Sequence, residues 1–223
     1  MSDYAGRTYE FVPKSELNPV KDQVEGIINM LQDSMRVFGV TFTFKLVGSG
    51  GKNLVTRVVN GNTGFDFDYN LGIQKDGDLS AKDLRLKVKR ELEKLLQGTG
   101  YSTVSSGKQS MTFKFIDHDN SRIVHSCDFA LVNDYVDEVG DSIQEILIWQ
   151  REDDTYIWNK RSYAKNHSDK LSNLKANGLW QEVKDEYLKI KNNNQDKEKK
   201  SFSLFFEAIN NVYNRYDWNW EKR

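Results

Sequence analysis

The chain has 223 residues, of which 38% are hydrophobic, 29% charged and 12% aromatic, a composition that supports a globular protein with a sizeable core. Lys and Arg number 32 against 33 Asp and Glu, a formal net charge of -1, which excludes a global basic field for nucleic acid or anionic membrane. No apolar run approaches the roughly 20 residues of a bilayer crossing, and the start, MSDYAGRTYEF, lacks the basic flank and apolar centre of a secretory signal, so the cytoplasm is expected, with no membrane partner.

From Ser15 to Val37 the apolar residues Val20, Val24, Ile27, Ile28, Leu31 and Met35 recur at helical spacing, and Gly39 follows as a stop; this predicts an amphipathic first helix. Val40 to Val47, VTFTFKLV, is rich in β-branched and aromatic residues and predicts a strand that empties into Gly48-Ser49-Gly50-Gly51. A short apolar stretch, Leu54 to Val59, leads to the turn Asn60-Gly61-Asn62. Phe65 to Ile73, FDFDYNLGI, then alternates with period two, so Phe65, Phe67, Tyr69 and Leu71 share one face and Asp66, Asp68 and Asn70 the other.

Gly77-Asp78-Leu79-Ser80 offers a cap, and Leu84, Val88, Leu92, Leu95 and Leu96 mark a second amphipathic helix from Ala81 to Leu96. Met111 to Ile116 and Arg122 to Val132 flank the polar turn Asp117-His118-Asp119-Asn120 and read as a hairpin. In its second strand Val124, Ser126, Asp128, Ala130 and Val132 share a face. Ile143 to Gln150 and Thr155 to Trp158 add strand-like runs.

After Ser168 one helical pattern carries Leu171, Leu174, Leu179, Trp180, Val183, Tyr187 and Ile190, the polar stretch 192–200 interrupts it, and Phe202 to Tyr216 resumes it. The layout is α+β: a mixed-sheet core with its N-terminal helix over residues 1–160, and a helical C-terminal portion over residues 161–223.

Cys127 is the one cysteine, which excludes an internal disulfide and a Cys-built zinc cage, and His118, His125 and His167 are scattered too widely for a His-built metal site. Any metal must be held by carboxylates. Asp66 and Asp68, at i and i+2 on a strand, point the same way, and their repulsion is best offset by a divalent cation. Asp128 sits within an apolar strand, where an unpaired charge is expensive.

If that strand lies beside FDFDYNL, three carboxylates converge on one spot suited to Mg²⁺ or Mn²⁺ and to the phosphates of a nucleotide. Glycines in Gly48 to Gly51 allow close backbone approach, and free N–H groups with the Ser49 hydroxyl can donate to phosphate oxygens. The alternative for Asp66 and Asp68 is the wet face of an antiparallel hairpin, and for the glycine loop a plain turn. His125 and Cys127 fall on the face opposite Asp128 and read as core residues.

The order Leu46-Val47-Gly48-Ser49, then Phe65-Asp66-Phe67-Asp68, a helix, and Cys127-Asp128-Phe129 resembles the nucleotidyltransferase superfamily related to DNA polymerase β, over about residues 40 to 132. Within it the chain looks most like the oligoadenylate synthase and cyclic GMP-AMP synthase branch and its bacterial relatives. The stretch from Ser49 to Asp66 is long for that family.

The resemblance implies transfer of a nucleoside monophosphate from an NTP to a hydroxyl, with Asp66, Asp68 and Asp128 as metal ligands and catalytic groups and Gly48 and Ser49 on the phosphates. It further implies triphosphate contacts from Lys189, Lys191 and Ser201, and a helical C-terminal portion that closes the cleft. The acceptor (nucleotide, RNA end, protein or small molecule) and the oligomeric state stay open, as do a compact toxin-like or defence-associated enzyme and a catalytically silent nucleotide-binding module.

Overall fold

The computed structural model describes residues 7–161, 166–196, 198–216 and 218, with all their side chains except those of 166–168. The His167 side chain and Lys197 of the polar stretch lie outside the described residues. The chain divides into two compact units, residues 12–161 and residues 162–223 together with the first 11.

The larger unit begins with α1 (Lys14–Arg36), which buries the stripe Val24, Ile27, Ile28, Leu31 and Met35. β2 (Val40–Val47) follows and runs into a single 3-10 turn at Gly50–Lys52, then a short strand, β3 (Thr56–Val58). In β4 (Phe65–Asp76) the alternation in sequence becomes an alternation in burial: Phe65, Phe67, Tyr69 and Leu71 are buried, Asp66 is exposed, and Asp68 and Asn70 are half-buried. α2 (Ala81–Leu96) starts where the Ser80 hydroxyl accepts from the Asp83 N–H at 3.1 Å, satisfying one of the free donors of a helix start. The remaining strands are β5 (Ser105–Ser106), β6 (Met111–Asp117), β7 (Arg122–Val136), β8 (Ser142–Gln150) and β9 (Thr155–Lys160).

Among the described residues these form a seven-stranded sheet in the order β2-β4-β7-β6-β5, with β8 on the distal part of β7 and β9 on β8. β4 and β7 run parallel, as the long connection through α2 permits, and the other neighbours are antiparallel. α1 and α2 bury their stripes against Phe65, Phe67, Tyr69, Leu71, Phe113, Cys127, Phe129 and Leu131 in one core. Each large side chain so buried contributes roughly 1.5–3 kcal/mol. Tyr69 Oη donates to Glu25 of α1 at 3.2 Å within that layer. That core takes one face of β4 and β7; the other face carries the aspartates and, further along β7, a second buried cluster of Ala130 and Val132 with Ile146 and Ile148 of β8.

The helical unit comprises β1 (Tyr9–Phe11), α3 (Asn166–Ala176), α4 (Trp180–Asn193) and α5 (Ser201–Tyr213). The single helical run expected after Ser168 is broken between α3 and α4. Gly178 takes φ +71, and the N–H groups of Gly178 and Leu179 return to the carbonyls of Lys175 and Leu174, which caps α3. α4 and α5 pack through Val183 and Tyr187 against Leu204, Phe205, Ala208 and Ile209, with the Tyr187 and Phe205 rings edge to face at 6.3 Å. β1 is tied to α4 at both ends of one amide: the Tyr9 N–H donates to Asn192 Oδ1 at 2.6 Å, and Asn192 Nδ2 donates to the Tyr9 carbonyl at 3.2 Å.

Candidate active site

β4 and β7 pair in register with Phe65 opposite His125, Asp66 opposite Ser126 and Asp68 opposite Asp128. Register partners share a face and side chains alternate, so Asp66, Asp68 and Asp128 all lie on the face away from the helix-covered core. The strand carrying Asp128 does lie beside FDFDYNL.

The electrostatics follow from that placement. Burial, then the neighbouring charges of Asp128 and Asp66, push the Asp68 carboxyl up to about 6, against a smaller downward pull from Lys52. The Cys127 thiol is raised by burial first and then by the same three aspartates. Asp66 accepts a hydrogen bond from Ser126 Oγ, and Asp128 accepts one from Thr112 Oγ1 on β6. Among the described residues no group of three or more His, Cys, Asp or Glu side chains is arranged to hold an ion.

The donor set is nonetheless one of carboxylates alone, hard oxygen ligands that suit Mg²⁺ or Mn²⁺, and the raised Asp68 reflects burial first and the neighbouring aspartate charges second, both of which a cation would offset. His125 and Cys127 are not part of it. His125, 2% exposed, stacks on Phe115 and Phe65 at 5.5 and 5.8 Å and meets Tyr101 Oη through Nε2 at 2.9 Å. Its Nδ1 has no partner, and burial holds it down to about 4, so it is a neutral core residue at neutral pH.

The glycine loop leaves β2 beside these aspartates, because Val47 pairs with Asp68. Gly48 has φ +59, and a Cβ built there would overlap the Asp68 carboxylate, so any side chain would strain the backbone and displace Asp68. Lys52 Nζ donates to the Gly48 carbonyl at 3.1 Å, and the Ser49 carbonyl accepts from the N–H groups of Lys52 and Leu54 at 3.2 and 2.9 Å. The long segment between Ser49 and Asp66 is absorbed by the 3-10 turn, β3 and the loop after it, and leaves the β2–β4 register intact at its site end.

In the helical unit Lys191 Nζ donates to Ser201 Oγ and to Tyr187 Oη, both at 3.3 Å, and lies 4.6 Å from the Tyr9 ring centre. Lys189 is exposed and its field falls on Glu186. Two residues along a helix are roughly 200° apart, so Lys189 and Lys191 look in different directions and Lys191 is the one that meets Ser201. Sequence reasoning missed Ser126, Thr112 and Lys52 as neighbours of the aspartates. Parity did place Ser126 on the face of Asp128, but the carboxylate that each hydroxyl meets depends on the strand register.

No family model and no curated protein matches this sequence. Solved structures do match it in fold. A STING-associated CdnE c-di-GMP synthase from Capnocytophaga granulosa aligns with TM-score 0.58 at 16% identity, over 93% of this chain and 64% of that one. A CdnE c-UMP-AMP synthase from Rhodothermus marinus aligns with TM-score 0.54 at 14% identity, over 92% and 84%. The cyclic AMP-GMP synthase DncV of Vibrio cholerae, a prokaryotic cGAS homolog, aligns with TM-score 0.55 at 15% identity, over 82% and 48%. The chain therefore has the α+β nucleotidyltransferase fold of cGAS-like bacterial synthases, and it spans less than two-thirds of the Capnocytophaga protein and about half of the Vibrio one. No helix among the described residues is long and apolar enough to cross a membrane.

Proposed function

We propose that this protein is a divalent-cation-dependent nucleotidyltransferase that transfers a nucleoside monophosphate from an NTP to a hydroxyl acceptor. The observation that carries the reading is the register of β4 on β7, which sets Asp68 against Asp128, with Asp66 one pleat away and Gly48 so placed that a Cβ on it would overlap the Asp68 carboxylate. Asp66, Asp68 and Asp128 would hold Mg²⁺ or Mn²⁺, which when bound supplies neutralisation of phosphate charge and polarisation of the α-phosphorus. The backbone N–H groups and hydroxyl of Gly48 and Ser49 bind the β and γ phosphates. Lys189, Lys191 and Ser201, in the helical unit, are further candidates for phosphate contacts, with Lys191 and Ser201 already joined by a hydrogen bond.

Asp128 orients the acceptor hydroxyl and takes its proton as the new O–P bond forms and the bond to pyrophosphate breaks. Positioning and charge neutralisation carry most of the rate, since little covalent chemistry falls to the protein. The neighbours in fold are named as cyclic dinucleotide synthases, which favours a second nucleotide as acceptor over RNA or protein, and a place in antiviral defence.

A second reading, a module that holds nucleotide without chemistry, is favoured by one observation: among the described residues no group of three or more His, Cys, Asp or Glu side chains is arranged to hold an ion. Incubation with each α-labelled NTP and Mg²⁺ or Mn²⁺, beside Asp66→Ala/Asp68→Ala, separates the two. Pyrophosphate release and labelled product from the wild type alone support the transferase. Nucleotide binding without release, cell extract included as a source of acceptor, supports the module.

A further inference from the structure

Each outer carboxylate of the group is bonded to the hydroxyl of its own cross-strand partner. Ser126 is the register partner of Asp66, and its Oγ donates to Asp66 Oδ1; Thr112 is the register partner of Asp128, and its Oγ1 donates to Asp128 Oδ1. The hydroxyls therefore come from two strands, β7 and β6, and reach the acidic group from the same side of the sheet. Ser126 is only 8% exposed, and a buried hydroxyl left without a partner costs about 1–3 kcal/mol, so its bond is held in place by the packing around it.

The chemistry of the donor matters as much as its position. A hydroxyl is neutral: it satisfies one lone pair and fixes the plane of the carboxylate without removing its charge. A lysine or arginine at either position would neutralise the carboxylate and compete with a cation for it. Both bonds engage Oδ1, which leaves Oδ2 of Asp66 and of Asp128 to bind elsewhere. Carboxylates that ligate metals are commonly oriented in this way by hydrogen bonds from groups that do not touch the metal.

We infer that Ser126 and Thr112 are positioning residues for a divalent-cation site, each orienting one carboxylate, Asp66 or Asp128, so that one of its oxygens stays available to the ion. The inference rests on the transferase reading above, because it takes the three aspartates as cation ligands. A purely structural role for the two hydroxyls would lower the stability of the sheet and leave cation affinity untouched.

Binding of Mn²⁺ alone to the full chain, followed by electron paramagnetic resonance of free Mn²⁺, separates these roles. The panel is wild type, Ser126→Ala, Thr112→Val, the conservative pair Ser126→Thr and Thr112→Ser, and Asp66→Ala/Asp68→Ala as the reference without a site. Ser126→Ala and Thr112→Val are expected to weaken Mn²⁺ binding about tenfold or more, and the conservative pair to bind like the wild type. Metal-free melting curves show which variants fold, and should Ser126→Ala fail to do so, Thr112→Val and Thr112→Ser decide. Wild-type affinity in the Ala and Val variants overturns the inference and leaves the transferase reading standing. Tighter binding also overturns it, since the hydroxyls then hold the carboxylates away from the ion. A wild type that takes up no more Mn²⁺ than the Asp66→Ala/Asp68→Ala reference overturns both.

Discussion

Asp68 of β4 and Asp128 of β7 are register partners across a parallel strand pair, so two half-buried carboxylates sit side by side on the face opposite the core. Parallel neighbours bring such residues together only when the pairing is in phase. Here it is, and burial together with the like charges of Asp128 and Asp66 raises the Asp68 carboxyl.

That cost gives a pH dependence with a definite sign. Asp68 ionises at about 6 in the folded chain against 3.8 as a free side chain, so its contribution to stability is full below about pH 4 and is lost as pH rises through about 6. Asp68→Asn should therefore melt above the wild type at pH 8 without metal, by about 1–2 kcal/mol once solvent screening of the half-buried carboxyl is allowed for. The advantage should vanish near pH 4. Thermal denaturation of both proteins across that range, without metal, checks it. An Asp68→Asn protein less stable than the wild type at pH 8 would contradict the penalty that burial and the neighbouring aspartates place on the ionised Asp68.

Neutralising the acidic group should stop turnover while sparing the fold. Asp128→Asn and Asp66→Ala/Asp68→Ala are each expected to lower product formation by about a thousandfold or more, with circular dichroism like that of the wild type. Residual activity within tenfold of wild type would mean that these aspartates are not the catalytic group.

Gly48 is tested by adding one methyl. At φ +59 and against the Asp68 carboxylate, Gly48→Ala should lose about 1–3 kcal/mol of stability from backbone strain and displacement of Asp68. If Gly48 and Ser49 hold the phosphates as proposed, it should also raise KM for the NTP, because the turn and the carboxylate can no longer approach each other. Melting curves and initial rates read the two effects separately.

The elements that decide the fold were legible where period and punctuation agreed. FDFDYNL alternates without a break and becomes β4 with the predicted faces; Ser80 caps α2 as the sequence suggested. The Asp66, Asp68 and Asp128 faces were readable by parity, but their meeting was not, because β4 and β7 are joined through α2, β5 and β6, and parity carries no register between distant strands. The same gap hid the hydroxyls of Ser126 and Thr112. β1 has three residues, too few to show a period, and is tied to α4 by an asparagine far away in sequence. The break at Gly178 was missed because apolar residues continue at near-helical spacing on both sides of it. Lys189 and Lys191 are separable from sequence by helical phase alone, but which of the two faces Ser201 required the α4–α5 packing.

The two lysines make a matched comparison. Lys191→Met removes the cation that meets Ser201 and should raise KM for the NTP about tenfold, the value of one charge-assisted phosphate contact. Lys189→Met, two residues back on α4 and so on another side of the helix, should change KM less than Lys191→Met does. The reverse order in initial-rate kinetics would move the phosphate contact to the other face of α4.

A crystal structure with Mn²⁺ and a non-hydrolysable NTP, read by the anomalous signal of the metal, tests the central claim most directly. The account predicts anomalous density within ligand distance of Asp66, Asp68 and Asp128, with the triphosphate on Gly48 and Ser49. Metal and triphosphate bound away from those aspartates, or nucleotide bound with no metal beside them, would contradict it.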